Sequence, residues 1–355
     1  MPLPSDRPYL IGETAFHHQG SEVDLMAIVD AVAEAGCHAV KFHLLADLDD
    51  YMVQSHPAYD TVAPWLFDEA AWDRIIAHAV EHHLEIVLLC NDPGAVEMVI
   101  RKGWPTRACE VHATGINDAL LLRAISNVPG TVILGVGGCS LGEIQHALSM
   151  LKAGGKDDVL LMHGFQNYPT IPDDVRLSRM EKLRDLFDLP VGYADHTAPD
   201  HPEHVAISAS VAVMGINVLE KHITPWPGEQ RIDHQAAIDV STMRRTSELM
   251  STLWSLRGRD PLVFSPAEQR YGLTGPMKKA IVARRDLSAG TILSLDDLAY
   301  KRTGREEILR QDQLLGLVGA RVLRDLKKDS PLVPDAVEWA EVKAEVTQFF
   351  IRKQP

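Results

Sequence analysis

The sequence is poor in cysteine, in aromatic residues and in long apolar runs. It has 4 cysteines in 355 residues. Cys37, Cys90, Cys109 and Cys139 show no Cys-x-x-Cys spacing, which argues against a zinc ribbon or a disulfide scaffold and reads as buried thiols in a reducing compartment. Aromatics make up only 6 %. No apolar run reaches the roughly 18–20 residues that a membrane span requires. The stretch from Met1 to Pro8 has no apolar core, so no secretory signal is expected there. Cation is scarce relative to anion: Lys and Arg number 35 against 49 Asp and Glu, a net charge of −14. That balance disfavours nucleic acid or an anionic membrane as the main partner. A cytoplasmic small-molecule protein is the expectation.

What is present is a globular composition, 46 % hydrophobic, and an unusual 16 histidines. At about 150 residues per domain the length suggests two domains. Up to about Gly258, short β-rich runs alternate with helix-period runs. Strands are expected at 9–11, 39–43, 85–89, 108–113, 132–136, 159–163, 191–194 and 218–221. Helices are expected at 22–35, 68–82, 94–102, 118–125, 140–151, 177–186 and 205–214. Repeated strand–helix units imply a parallel sheet, and eight of them in this length fit an α/β (β/α)8 TIM barrel. The competing doubly wound sheet would carry Gly-x-Gly-x-x-Gly after its first strand, and none is there. Residues 1–260 are therefore assigned to the barrel and 261–277 to a linker. Residues 278–338 form a small β-rich domain, and 339–355 a tail.

A barrel places its chemistry at the C-terminal strand ends. Those ends are polar here. The first closes near Glu13. The second carries Lys41 and His43 on one face, and the eighth carries Glu220 and His222 on one face. The sixth ends at His163 and leads into Gln166 and Tyr168. The seventh ends at Asp195-His196. His196 and His222 are the best candidates for holding a divalent ion with open positions for water and substrate. A salt-bridge ring inside the barrel is the structural alternative for the buried charges. His17, His18, His82, His83, His201 and His204 read as solvated. The glycine-rich Leu134–Cys139 loop could cradle an anion ahead of a helix capped by Ser140.

Several segments together resemble the sialic acid (nonulosonic acid) synthase family. They are Ile11-Gly12-Glu13, Gly36-Cys37-His38-Ala39-Val40-Lys41-Phe42, Tyr168-Pro169-Thr170, Gly192-Tyr193-Ala194-Asp195-His196-Thr197, Glu220-Lys221-His222-Ile223-Thr224 and Asp233-His234. Lys279 to Pro331 is similar to that family's SAF (antifreeze-like) domain. The resemblance implies a metal-dependent, aldol-type condensation of phosphoenolpyruvate with an N-acetylated amino sugar aldehyde. It implies His196 and His222 as ligands to manganese or magnesium, although two histidines also accept zinc or iron. It implies Glu13 as the catalytic carboxylate, Lys41 as a phosphoenolpyruvate contact, and Tyr168 and Asp233 as sugar contacts. It further implies a domain-swapped homodimer in which Arg302 from the partner's small domain reaches the sugar.

The same resemblance exposes departures. A Lys-Ile-Gly-Ser segment after the fourth strand would fall on Val111-His112-Ala113-Thr114, placing valine at the lysine. A Ser-Thr-Gly-Met segment falls on Gly135-Val136-Gly137-Gly138. The serine before Asp-His is Ala194, the asparagine before Tyr-Pro is Gln166, and a glutamine after the second-strand lysine is His43. A Ser-Thr-Pro-Phe segment falls near Leu88-Leu89-Cys90-Asn91. Losing converging donors weakens a phosphate site by roughly 1.5–3 kcal/mol per charge-assisted bond. Three readings follow. One is a divergent synthase holding phosphoenolpyruvate through Lys41, His112 and Thr114. The second is a lyase or isomerase of a sugar-like hydroxy carbonyl compound, with His43 as a third metal ligand. The third is a non-catalytic sugar-binding protein.

Overall fold

The computed structural model describes residues 2–164, 167, 170–258, 262–272, 278–305 and 309–339. They form two compact units, 1–258 and 259–355. In the first unit, strands β1 (Tyr9–Glu13), β2 (Ala39–Leu44), β3 (Glu85–Cys90), β4 (Thr106–Val111), β5 (Thr131–Gly135), β6 (Val159–His163), β7 (Val191–Asp195) and β8 (Val218–His222) close a parallel barrel in sequence order. The TIM barrel expected from the sequence is the fold observed.

Strand alternation sorts the side chains. Odd residues of β1, β2, β3 and β5 and even residues of β4, β6, β7 and β8 point inward. At the N-terminal end these are apolar: Tyr9, Ile11, Ala39, Val87, Ala108, Ile133, Leu160 and Val218 pack together inside the barrel. One or two residues further along, the same parity delivers Glu13, Lys41, Glu110 and Glu220. The opposite parity (Leu10, Val40, Cys109, Val111, Leu161, Leu219) joins the core between barrel and helices. Helix starts follow capping rules. Asp68, Asp92 and Asp118 accept from first-turn amides, and Ser140 makes a capping box with Glu143. Gly103, at φ 63°, ends helix Pro93–Lys102 in the left-handed conformation that glycine adopts freely.

Some elements differ from expectation. β4 spans 106–111 rather than 108–113, because the His112 side chain accepts from the Thr114 amide and starts a 3-10 turn. Helix Val240–Arg257 follows β8 with only Met243, Thr246 and Met250 buried, too thin an apolar stripe to read from sequence. Residues 48–65 insert short helices over a satellite core of Leu45, Leu48 and Val62. Helix Pro266–Tyr271 lies where a linker was expected. His17 and His18, expected to be solvated, are both 2 % exposed. His17 sits between the Ile232 carbonyl at 2.6 Å and the Thr224 hydroxyl at 2.9 Å, and His18 packs against Phe67. His163 points outward, toward the Val175 carbonyl at 3.1 Å, and so lies away from the barrel mouth.

The second unit pairs β9 (Ala280–Ala283) with β10 (Leu298–Lys301) and β11 (Arg321–Val322) with β12 (Val337–Glu338), both antiparallel. Its own core includes Ile281, Leu293, Leu317, Val322 and Leu332. Among the described residues no helix is long and apolar enough to cross a membrane.

One buried ion pair ties β7 to β8 behind the barrel wall. The Lys221 Nζ lies 2.7 Å from Asp195 Oδ2, both side chains fully buried, and also donates to the Thr197 carbonyl at 2.9 Å. Asp195 also accepts from Tyr193, the Thr197 amide and hydroxyl, and Ser208. Removing one partner of such a pair strands a buried charge and costs about 3–5 kcal/mol. Lys221→Met is therefore expected to lower the urea midpoint by that equivalent, and Lys221→Met with Asp195→Leu to recover part of it.

His18 supplies a second test. Burial first, then the charges of His43 and His17, pushes its pKa down to about 3. The folded protein keeps it neutral while the unfolded chain takes a proton below the ordinary value of about 6.5. Its contribution to stability is thus present above that value and falls as pH drops toward 3, by about 1.4 kcal/mol per pH unit. Unfolding free energies measured between pH 6.5 and 4 should show this slope, and His18→Gln should reduce it by one proton.

Candidate active site

The inward polar residues converge at the C-terminal mouth of the barrel. Strand register sets Glu13 beside both Lys41 and His222. It sets Ala194 beside Glu220. At the centre is Lys41, 2 % exposed. Its Nζ lies 2.6 Å from Glu220, 3.0 Å from Glu110 and 3.3 Å from Glu13. Burial works against charge on Lys41, but Glu110, Glu13 and Glu220 outweigh it and hold the ammonium firmly protonated. Burial raises both Glu110 and Glu220 against the pull of Lys41, Glu220 the more strongly. Glu13 goes the other way. Burial opposes its ionisation, but Lys41, His222 and His43 together hold it well below the usual carboxylate range.

Glu13, His196 and His222 each present a ligand atom, all within 4.8 Å of one another, and all three residues are buried. The two rings are 5.2 Å apart, centre to centre. Burial pushes His196 down to about 4 and His222 down to about 3. Neutral imidazoles and an ionised carboxylate are what a divalent metal requires. The donor set therefore fits such an ion, with positions left for substrate oxygens. His43, the third ligand expected on one reading, instead places Nε2 2.7 Å from Glu13 Oε1. The third ligand-bearing side chain in the described group is Glu13. A second such group, Asp30, His78 and His82, lies on two outer helices.

The remaining sequence candidates separate. Thr114 is exposed and lies in an adjoining cleft of about 500 Å3, with Tyr51, His56, Asn91 and Asp118. His112 borders both that cleft and the mouth, and burial pushes it down to about 4. Asp233 sits in the loop after β8 at φ 62°, next to His234, which borders a cleft of about 390 Å3. Arg302 follows β10 in the smaller unit and is exposed. Gln166 and Tyr168 lie outside the described residues.

Two roles escaped the sequence reading. Val111, matched to a phosphate-binding lysine, is buried on the helix side. The β4 side chain that faces the mouth is Glu110, and strand parity would have shown it had β4 ended at 111. Asp195 and Lys221 are the other pair. They fix the turn that presents His196, and the adjacent motif residues were the available signal. Gly135, Gly137 and Ala194 do border the mouth, as the departures implied, and contribute no hydroxyl.

The chain matches the NeuB family model over residues 28–260 and the SAF domain model over residues 278–338. It is 24 % identical to an N,N'-diacetyllegionaminic acid synthase of Campylobacter jejuni, covering 88 % of this chain and 96 % of that protein. It is 23 % identical to an N-acetylneuraminate-9-phosphate synthase of Drosophila melanogaster, covering 94 % and 96 %. A solved structure of a spore coat polysaccharide biosynthesis protein E from Chromobacterium violaceum superposes with a TM-score of 0.80 at 19 % identity, covering 94 % and 100 %. With its eight-stranded barrel matched over residues 28–260 and the SAF domain following it in sequence, the chain belongs to the NeuB family.

Proposed function

We propose that this protein is a metal-dependent enzyme forming a carbon–carbon bond at the aldehyde of a sugar-like acceptor, a reaction of the nonulosonic acid synthase type. The observation that carries the reading is the buried triad Glu13, His196 and His222, whose donor atoms fall within one ion's reach. A divalent cation held there supplies Lewis acidity toward a carbonyl oxygen. The chain's own residues do the rest. Lys41 keeps Glu13 ionised, so the carboxylate is ready to bind a cation. His43, 2.7 Å from Glu13, orients that carboxylate. Lys221 and Asp195 fix the turn carrying His196, and so would orient that imidazole toward a bound ion without touching it.

The adjoining cleft of about 500 Å3 shares His112 with the mouth and suits a polyhydroxy acceptor. Thr114 stands in it. On the family resemblance, Tyr168, Gln166 and Asp233 would contact the sugar from the loops after β6 and β8. Arg302 would arrive from a second copy in a domain-swapped homodimer. Cytoplasmic synthesis is consistent with four unpaired, buried cysteines. The non-catalytic reading is disfavoured by the triad, since sugar binding alone has no need of three buried donor atoms within one ion's reach.

Calorimetric titration of metal-stripped protein with manganese or zinc tests the reading. One ion per chain is expected. His196→Ala, His222→Ala and Glu13→Gln should each weaken binding by about 100-fold or more, and His43→Ala by about tenfold or less. Unchanged metal affinity in His196→Ala and His222→Ala would contradict it.

A further inference from the structure

We infer that the carbon donor used at this mouth carries no phosphate and is instead an enolisable 2-oxo acid of pyruvate size, with Glu110 setting that choice. The inference deepens the metal-dependent reading above and rests on it. A phosphate dianion is held by several converging donors, preferably cationic. Among the described residues bordering the mouth, Lys41 is the one lysine or arginine. Its ammonium has three N–H donors. Three carboxyl groups surround it, from β1, β4 and β8, at 3.3, 3.0 and 2.6 Å. Two of those donors hydrogen-bond Glu110 and Glu220, and Glu13 stands within ion-pair distance. Carboxyl groups outnumber that cation three to one. The rest of the described wall is two imidazoles, His112 and His196, and the small or apolar Ala113, Gly135, Gly137, Met162, Gly164 and Ala194, with neither hydroxyl, lysine nor arginine among its side chains.

Glu110 makes the difference local. It enters from β4, and its oxygen occupies one of the donors of Lys41. A phosphate placed there would compete with Glu110 for that ammonium and would find no second cation. A 2-oxo acid brings one carboxylate and a keto oxygen, and both suit a divalent cation better than they suit Lys41.

The chemistry balances without phosphate. A C3 proton of the 2-oxo acid goes to a base at the mouth. The C3 carbon forms a bond to the aldehyde carbon, and the former carbonyl oxygen of the aldehyde takes a proton. The product is a 4-hydroxy-2-oxo acid, and nothing is oxidised, reduced or released. Glu110 and Glu220 are the carboxyl groups beyond the metal triad that face this space.

The test uses the full-length chain loaded with manganese after its metal stoichiometry has been measured. Pyruvate and phosphoenolpyruvate are titrated separately by calorimetry. Pyruvate methyl protons are followed by NMR in D2O without any aldehyde. Expected are pyruvate binding, exchange of its methyl protons and no heat from millimolar phosphoenolpyruvate. Glu110→Lys should gain at least tenfold in phosphoenolpyruvate affinity. Glu110→Gln, a gentler change, should gain less and keep its metal. Phosphoenolpyruvate binding to the metal-loaded wild type at micromolar concentration would overturn the inference while leaving the metal reading intact. So would metal-loaded protein that binds neither donor. Protein that takes up no metal at the triad contradicts the earlier reading instead, which makes the two failures distinguishable.

Discussion

The barrel mouth is organised around one buried ammonium. Lys41 lies within 3.3 Å of carboxyl groups from three strands that are far apart in sequence. A buried cation without partners costs several kcal/mol, and so does a buried carboxylate. Here each makes the other tolerable, and the strands must keep their register for that to hold. The same contact sets the chemistry. Lys41 favours ionised Glu13, and burial favours neutral His196 and His222. The protonation pattern that a divalent metal requires of its ligands is thus set by the fold itself.

Support for that arrangement comes from the other side of the wall. Residue 195 points outward where residue 196 points in, and residue 221 outward between inward 220 and 222. The Asp195–Lys221 pair and the His196–His222 pair are therefore two faces of the same two strand ends. One face is sealed and rigid, and the other is open to the mouth. A site held by both has little freedom to drift, as metal and catalytic geometries require.

Much of this was legible in the sequence because a barrel strand obeys a period of two. The ends Val40-Lys41-Phe42-His43 and Leu219-Glu220-Lys221-His222 could be assigned to faces by counting. Faces are misassigned where a strand ends earlier than its apolar run suggests. Val111 and Ala113 extend the apolar run of β4, so it read as ending at 113, while His112 had already capped the next turn. That shift hid Glu110, the β4 carboxyl group that borders the mouth. His17 and His18 failed for a different reason. Two adjacent histidines look hydrophilic, yet Thr224, Ile232 and Phe67 reach them from distant loops. No local pattern encodes such closure. The family resemblance implied the metal ligands, but it could not say that Lys41 would stand among three carboxyl groups.

The central claim is that one divalent ion is held by Glu13, His196 and His222 while Lys41 stays among its carboxyl groups. Anomalous diffraction from crystals of the manganese- or zinc-loaded protein tests it most directly. The account predicts one strong peak bonded to His196, His222 and Glu13 at roughly 2.0–2.3 Å, with Lys41 still paired to Glu110 and Glu220. A peak elsewhere, or a Lys41 side chain swung away from Glu110, would contradict it.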